Sequence, residues 1–217
     1  MNDWVFNAAP LDLSNLEDLQ SLDLSNTSLE ELPILPATLR HLTLSKMPRL
    51  PSHEVEDEVY ELPLLESFDC SGTGVSAKTI KAITLKSIKA GNLKKLYMGS
   101  RLVEHRSVPV EDEHPASDSV EELSLASLII RERRILEIIK LYPNLQRLDV
   151  SATKVTGVAV RHFVENGIKW LKLDECSEVS PDAVEYARGK GVEVEFNFPS
   201  RSGRMTSFRD ASYTGVF

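Results

Sequence analysis

A nine-residue pattern of apolar and polar positions returns seven times along the chain. Positions 1, 4 and 6 are apolar, the residues between them are mostly polar, and position 9 varies. The pattern reads LQSLDLSNT from Leu19, LRHLTLSKM from Leu39, LESFDCSGT from Leu65 and LKKLYMGSR from Leu93. It continues as VEELSLASL from Val120, LQRLDVSAT from Leu145 and IKWLKLDEC from Ile168. The fourth positions, Leu22, Leu42, Phe68, Leu96, Leu123, Leu148 and Leu171, follow one another at 20, 26, 28, 27, 25 and 23 residues. Alternation of this kind is the period of a strand, sending Leu22 and Leu24 into a core and Ser21 and Asp23 to the opposite face. Position 9 turns the chain off the strand, where a hydroxyl or thiol can bond backbone groups left without partners. Thr27, Thr73, Thr153 and Cys176 suit that role, whereas Met47, Arg101 and Leu128 do not, so irregular turns are expected at those three.

Between the strands the pattern lengthens to helical spacing. A helix is expected over 76–90, with Ser76 as N-cap, Ile80, Ile83 and Ile88 inward, and Gly91 as terminator. A second is expected over 129–141, apolar at Ile130, Ile135, Ile138, Ile139 and Leu141, with the RERR run facing out. A third runs 156–165, ended by Asn166-Gly167, and a fourth 180–188, with Ser180 at N-cap and Pro181 at N1. A brief helix is expected near 52–60. Pro33 and Pro36 forbid a helix after the first repeat and favour extended backbone, which explains the shortest period. The closing GVEVEF places Val194 a further 23 residues beyond Leu171, as a last strand.

Strand, turn and short helix recurring every 20 to 28 residues is the signature of leucine-rich repeats. The expected fold is therefore an α/β horseshoe solenoid, with one curved parallel sheet on the concave side and short helices, 3₁₀ turns or loops on the convex side. One repeat cannot bury enough apolar surface to offset the entropy of ordering its own backbone, so stability must come from stacking. The expected organisation is an incomplete cap over 1–15, a solenoid over 16–198 interrupted by a loop over 102–119, and a disordered tail over 199–217. Such a scaffold is built to hold another macromolecule.

Composition narrows the setting. The chain carries a formal charge of −8, against a general nucleic-acid binder. No apolar run approaches the ~20 residues that span a bilayer. The start MNDWVFNAAP lacks the basic end and apolar segment of a secretory signal. Cys70 and Cys176 lie four repeats apart, roughly 19 Å at ~4.8 Å per strand, too far to pair. A reducing compartment, cytoplasm or nucleus, follows.

No catalytic set emerges, and no cofactor or metal is implied. His53-Glu54-Val55-Glu56-Asp57 departs from the zinc motif H-E-x-x-H at its fifth residue. His105 and His114, beside Glu111, Asp112 and Glu113, lack the rigid support a metal site needs. Phosphate-binding and nucleophile-elbow glycine motifs are absent from the sequence. The chemistry lies instead in the outward strand positions. Position 3 runs Ser21, His41, Ser67, Lys95, Glu122, Arg147, Trp170, and position 5 runs Asp23, Thr43, Asp69, Tyr97, Ser124, Asp149, Lys172. Position 7 runs Ser25, Ser45, Ser71, Gly99, Ala126, Ser151, Asp174. The first half is small and polar. The second carries Trp170, Arg147, Tyr97, Lys172, Lys95, Asp149 and Glu122, the mixture of aromatic and charged groups typical of a protein-binding hot spot.

The last two repeats, LDVSATKVTGVAVRHFVENG and LKLDECSEVSPDAVEYARGKG, add a Thr or Cys, a Val and a Ser/Thr before each short helix. That layer resembles the cysteine-containing leucine-rich repeats of F-box/LRR proteins, the substrate receptors of cullin-based ubiquitin ligases. The likeness is good over 145–196, fair over 65–91 and poor in the first two repeats, and DAVEYARGKGVEVEF looks like the C-terminal end of fungal receptors. The resemblance implies an intracellular, non-catalytic module that binds a protein substrate for ubiquitin-dependent degradation. An F-box, the helical module that docks the ligase adaptor, has no room before Leu19. The resemblance then implies the substrate-binding portion alone. A free-standing scaffold or regulator unrelated to ubiquitin is the alternative.

Overall fold

The computed structural model describes residues 11–47, 49–50, 60–99 and 116–197. Eight three-residue strands form one open sheet: β1 (Ser21–Asp23), β2 (His41–Thr43), β3 (Ser67–Asp69), β4 (Lys95–Tyr97), β5 (Glu122–Ser124), β6 (Arg147–Asp149), β7 (Trp170–Lys172) and β8 (Glu193–Glu195). Neighbours in sequence are neighbours in the sheet, and every pair is parallel. The register sets each fourth position beside the next: Leu22, Leu42, Phe68, Leu96, Leu123, Leu148, Leu171, Val194. The α/β class, the parallel sheet and the terminal strand are those expected from the pattern.

Beyond each strand the backbone ladder goes on. The amide at position 6 donates to the position-5 carbonyl of the next repeat, as Leu24 does to Thr43 and Val150 to Lys172, at 2.9 and 3.0 Å. Position 8 then steps into the left-handed region, at Asn26, Lys46, Gly72, Ser127, Ala152 and Glu175, with φ between 53° and 70°. That step swings its N–H toward the following repeat. The amides of these six residues donate to the carbonyls of Ser45, Ser71, Gly99, Ser151, Asp174 and Asn197 in turn. For a residue with a Cβ the left-handed step costs roughly 1–2 kcal/mol, so the cross-repeat bond must hold it there.

This corrects the expectation of irregular turns at Met47 and Leu128. Both follow a left-handed residue that makes the standard cross-repeat bond, and both side chains are buried. The turn is set by backbone bonds, and position 9 needs only to fill the space beneath it, by thioether or isobutyl as well as by hydroxyl. Where it is threonine, the hydroxyl donates three residues back, as Thr73 does to Cys70 O and Thr153 to Val150 O, both at 2.6 Å. Cys176 differs, because its thiol reaches the Val150 carbonyl of the preceding repeat at 3.2 Å. Arg101 lies outside the described residues.

Four helices pack behind the sheet among the described residues: α1 (Ala77–Lys89), α2 (Glu132–Ile139), α3 (Gly157–Glu165) and α4 (Pro181–Gly189). Ser76 caps α1 by accepting the Thr79 amide, and Thr156 caps α3 by accepting that of Val158. Ser180 stands at the N-cap of α4 with extended backbone but makes no side-chain cap bond. The α2 helix is shorter than its spacing predicts. Arg131 is extended and offers no cap, while Ile129 stays exposed and Ile130 goes into the core. No helix follows the first repeat. There Ile34 bridges Asp12 in parallel extended backbone, as the flanking prolines require.

The core is one continuous stripe, with Leu42, Phe68, Leu96, Leu123, Leu148 and Leu171 all essentially inaccessible. Leu22 and Leu24 are only half-buried; among the described residues β1 has a strand neighbour on one side alone. The expected helix near 52–60, the tail over 199–217, and most of the expected cap and loop lie outside the described residues. At the loop's end, however, Ser117 and Ser119 are buried, and the Ser119 hydroxyl donates to Leu93 O at 2.8 Å.

Three substitutions probe this account in urea unfolding. Leu123→Ala, emptying a fully buried site, is expected to cost about 3 kcal/mol. Thr153→Val, deleting a buried hydroxyl bond, is expected to cost about 1 kcal/mol. Ala152→Gly is expected to gain up to about 1 kcal/mol by relieving the left-handed Cβ. A loss of stability in Ala152→Gly would contradict the strain assigned to position 8.

Candidate functional site

The register fixes which outward side chains meet. Lys95, Glu122, Arg147 and Trp170 stand side by side across β4 to β7, with Tyr97, Ser124, Asp149 and Lys172 one step further along the same strands. Glu122 is the centre. Its Oε1 accepts the Tyr97 hydroxyl at 2.8 Å, and its Oε2 faces Lys95 Nζ at 3.7 Å and Arg147 Nε at 3.6 Å. The first contact is a hydrogen bond; the other two are longer ion pairs. Its side chain is 21% exposed, so these attractions are screened less than at an open surface.

Trp170 is half-buried and lies under the guanidinium of Arg147, whose central carbon is 4.2 Å from the ring centroid. This is the stack expected of neighbouring positions, and it braces the arginine rather than hiding it. Lys172 is bracketed by Asp174 and Glu195, at 3.6 and 3.8 Å. Asp149 is spent on its own turn: its Oδ1 accepts the Ser151 amide at 2.9 Å and its Oδ2 faces the Ser124 hydroxyl at 3.4 Å. Asp23 and Asp69 serve their turns in the same way. An acidic residue at position 5 therefore carries a structural duty, and hydrogen bonds from Ser25 hold the exposed Asp23 carboxyl below its usual range. Ser124, expected outward, is buried beside Asp149.

A further column escaped the sequence reading. Position 2 places Arg40, Glu66, Lys94, Glu121, Gln146 and Lys169 along the start of the strands. Arg40 bonds Glu66, Lys94 pairs with Glu121 at 3.4 Å, and Lys169 donates to Gln146 Oε1 at 3.1 Å. The alternation of sign one residue before each outward position was its signal in the sequence. Together with the central cluster this column lines an open cleft of about 490 Å³, bounded by Lys94, Lys95, Glu121, Glu122, Gln146 and Arg147.

Two further titratable groups, a phenol and a thiol, are shifted upward. Burial, then the bond to the Glu122 carboxylate and the charges of Glu122 and Asp69, push the Tyr97 phenol well above its ordinary value of 10. Burial likewise raises the Cys176 thiol, against hydrogen bonds shared with Thr153. Cys70 and Cys176 are both buried thiols outside any disulfide, four strands apart in the sheet. Among the described residues no cluster of His, Cys, Asp or Glu is arranged to hold a metal ion, and no helix is long and apolar enough to cross a membrane. His53, His105 and His114 lie outside those residues.

No protein-family model matches the chain, and no curated protein matches it significantly.

Because the folded state raises the Tyr97 pKa, the tyrosine's contribution to stability is complete below the unfolded value near 10 and falls as pH rises beyond it. In the ultraviolet difference between wild type and Tyr97→Phe, no phenolate is expected at pH 10, where a free phenol is about half ionised. Glu122→Gln is expected to lower the Tyr97 midpoint. A wild-type phenol titrating near 10 would remove Glu122 from the role given to it.

Proposed function

We propose that the chain is a non-catalytic recognition module: a leucine-rich repeat horseshoe that grips a protein partner with the C-terminal half of its concave sheet face. The observation that carries this reading is the row Lys95, Glu122, Arg147, Trp170, flanked by Tyr97 and set in register across four parallel strands. Aromatic and arginine side chains concentrated on an open face are what binding hot spots are made of. The ion pairs hold those side chains in place before a partner arrives, which lowers the entropy lost on binding. A face already satisfied in this way gains from a complementary surface.

The more specific proposal is the substrate-binding part of an F-box/LRR-type ubiquitin ligase receptor, acting in the cytoplasm or nucleus. It rests on the resemblance of the repeats over 145–196 and on two buried thiols outside any disulfide, suited to a reducing compartment. The partner is a protein; a nucleic acid, a membrane or a cofactor is no part of the proposal.

Crosslinking mass spectrometry in extract is the test. Trp170→Ala is expected to weaken capture of the partner by about 2 kcal/mol while leaving thermal unfolding unchanged. Equal capture by wild type and variant would take the patch out of consideration. Recovery of a ligase adaptor and cullin with the native gene product would support the ligase assignment, and their absence alongside a retained target would favour the scaffold.

A further inference from the structure

Two contacts border the Arg147 guanidinium, a ring stack and an ion pair, and neither uses its terminal nitrogens. Its face rests on Trp170, and its Nε points to Glu122. Among the described residues no acceptor meets Nη1 or Nη2, and the side chain is 45% exposed. A guanidinium held at its face and its inner nitrogen presents the outer pair as a ready fork, the geometry that accepts both oxygens of one oxyanion.

The surrounding charge agrees. Along the starts of β4 to β7 stand four cations, Lys94, Lys95, Arg147 and Lys169, against two carboxylates, Glu121 and Glu122. Lys169 spends itself on a neutral amide, that of Gln146. This edge is therefore locally basic on a chain of net charge −8. The position-5 and position-7 columns are acidic there, with Asp149 and Asp174 against Lys172.

Resting on the recognition reading above, we infer that this edge seats an Asp or Glu side chain of an extended partner segment, its carboxylate bridging Nη1 and Nη2 of Arg147. Lys95, half exposed and paired only at 3.7 Å, supplies the second charge. A carboxylate suits the site better than a phosphate, because the second negative charge of a phosphate would meet Glu122 beside the same guanidinium. Glu122 thus acts twice, as the brace of the fork and as a filter on its ligand.

The test is selection of displayed random seven-residue peptides on the full chain, followed by synthesis of the enriched sequences. The expected result is an acidic residue at one position, with Glu→Gln in the peptide lowering affinity about tenfold or more, as loss of a bidentate charged pair should. In the protein, Arg147→Lys keeps the charge and removes the fork, so the preference for the Glu over the Gln peptide should shrink to about threefold or less. Lys95→Gln should leave their ratio within about threefold, since it removes charge but not the fork. Peptides that require Trp170 but show no acidic preference would overturn this inference and leave the recognition reading standing. Tighter binding of the phosphoserine version than of the glutamate version would overturn the carboxylate assignment. Enriched peptides indifferent to both Trp170 and Arg147 would sink both readings.

Discussion

The bond from a left-handed residue to the carbonyl of the next repeat is the constraint on which the rest of this molecule depends. Strands of three residues make few ladder bonds, too few to hold a parallel sheet against slippage. The position-6 and position-8 amides extend the ladder past the strand and around the turn. Each repeat is thereby tied to its successor over most of the nine-residue pattern, and a one-residue slip would break the whole set at once. Ala152 and Glu175 accept an unfavourable backbone conformation for this reason, at turns where glycine would enter without strain.

Register, once fixed, arranges the open face. Side chains separated by some 25 residues in sequence, such as Tyr97 and Glu122 or Glu122 and Arg147, become nearest neighbours and satisfy one another. The central carboxylate is held by a phenol and two cations, the arginine is braced by an indole, and the aspartates at position 5 close their own turns. The result is a surface whose charged groups are already positioned. In the recognition proposed above, a partner would draw on the parts left over, namely the half-exposed arginine, a half-exposed lysine and the indole.

Much of the fold was legible in the chain. The recurrence from Leu22 to Leu171 gave the strands and their order, because a stripe of leucines with that spacing is buried only by stacking in parallel. Ser76 marked a true helix cap by its ability to accept a free amide, whereas Ser180 holds the N-cap position without that bond. Residue type at a single position is a poorer guide than the repeat that contains it. Met47 and Leu128 bring no hydroxyl to their turns, yet those turns are regular because the backbone makes them. Helical spacing at Ile129 and Ile130 is likewise a weak guide to the start of α2, because Ile129 stays exposed and Arg131 is still extended.

What the sequence determined by itself was the list of outward residues and the strands that carry them, since period and alternation are local properties. It could name Trp170, Arg147, Tyr97 and Glu122 as one cluster. Only the tertiary structure decided what each does within it: that Glu122 is the hub, that Asp149 serves a turn, that Lys172 is matched by Asp174 and Glu195, and that Arg147 keeps two nitrogens free. The physical reason is that partnership between charged side chains depends on distances of a few ångströms across strands, set by rotamer and register together. A pattern along one chain carries the register but not the rotamers.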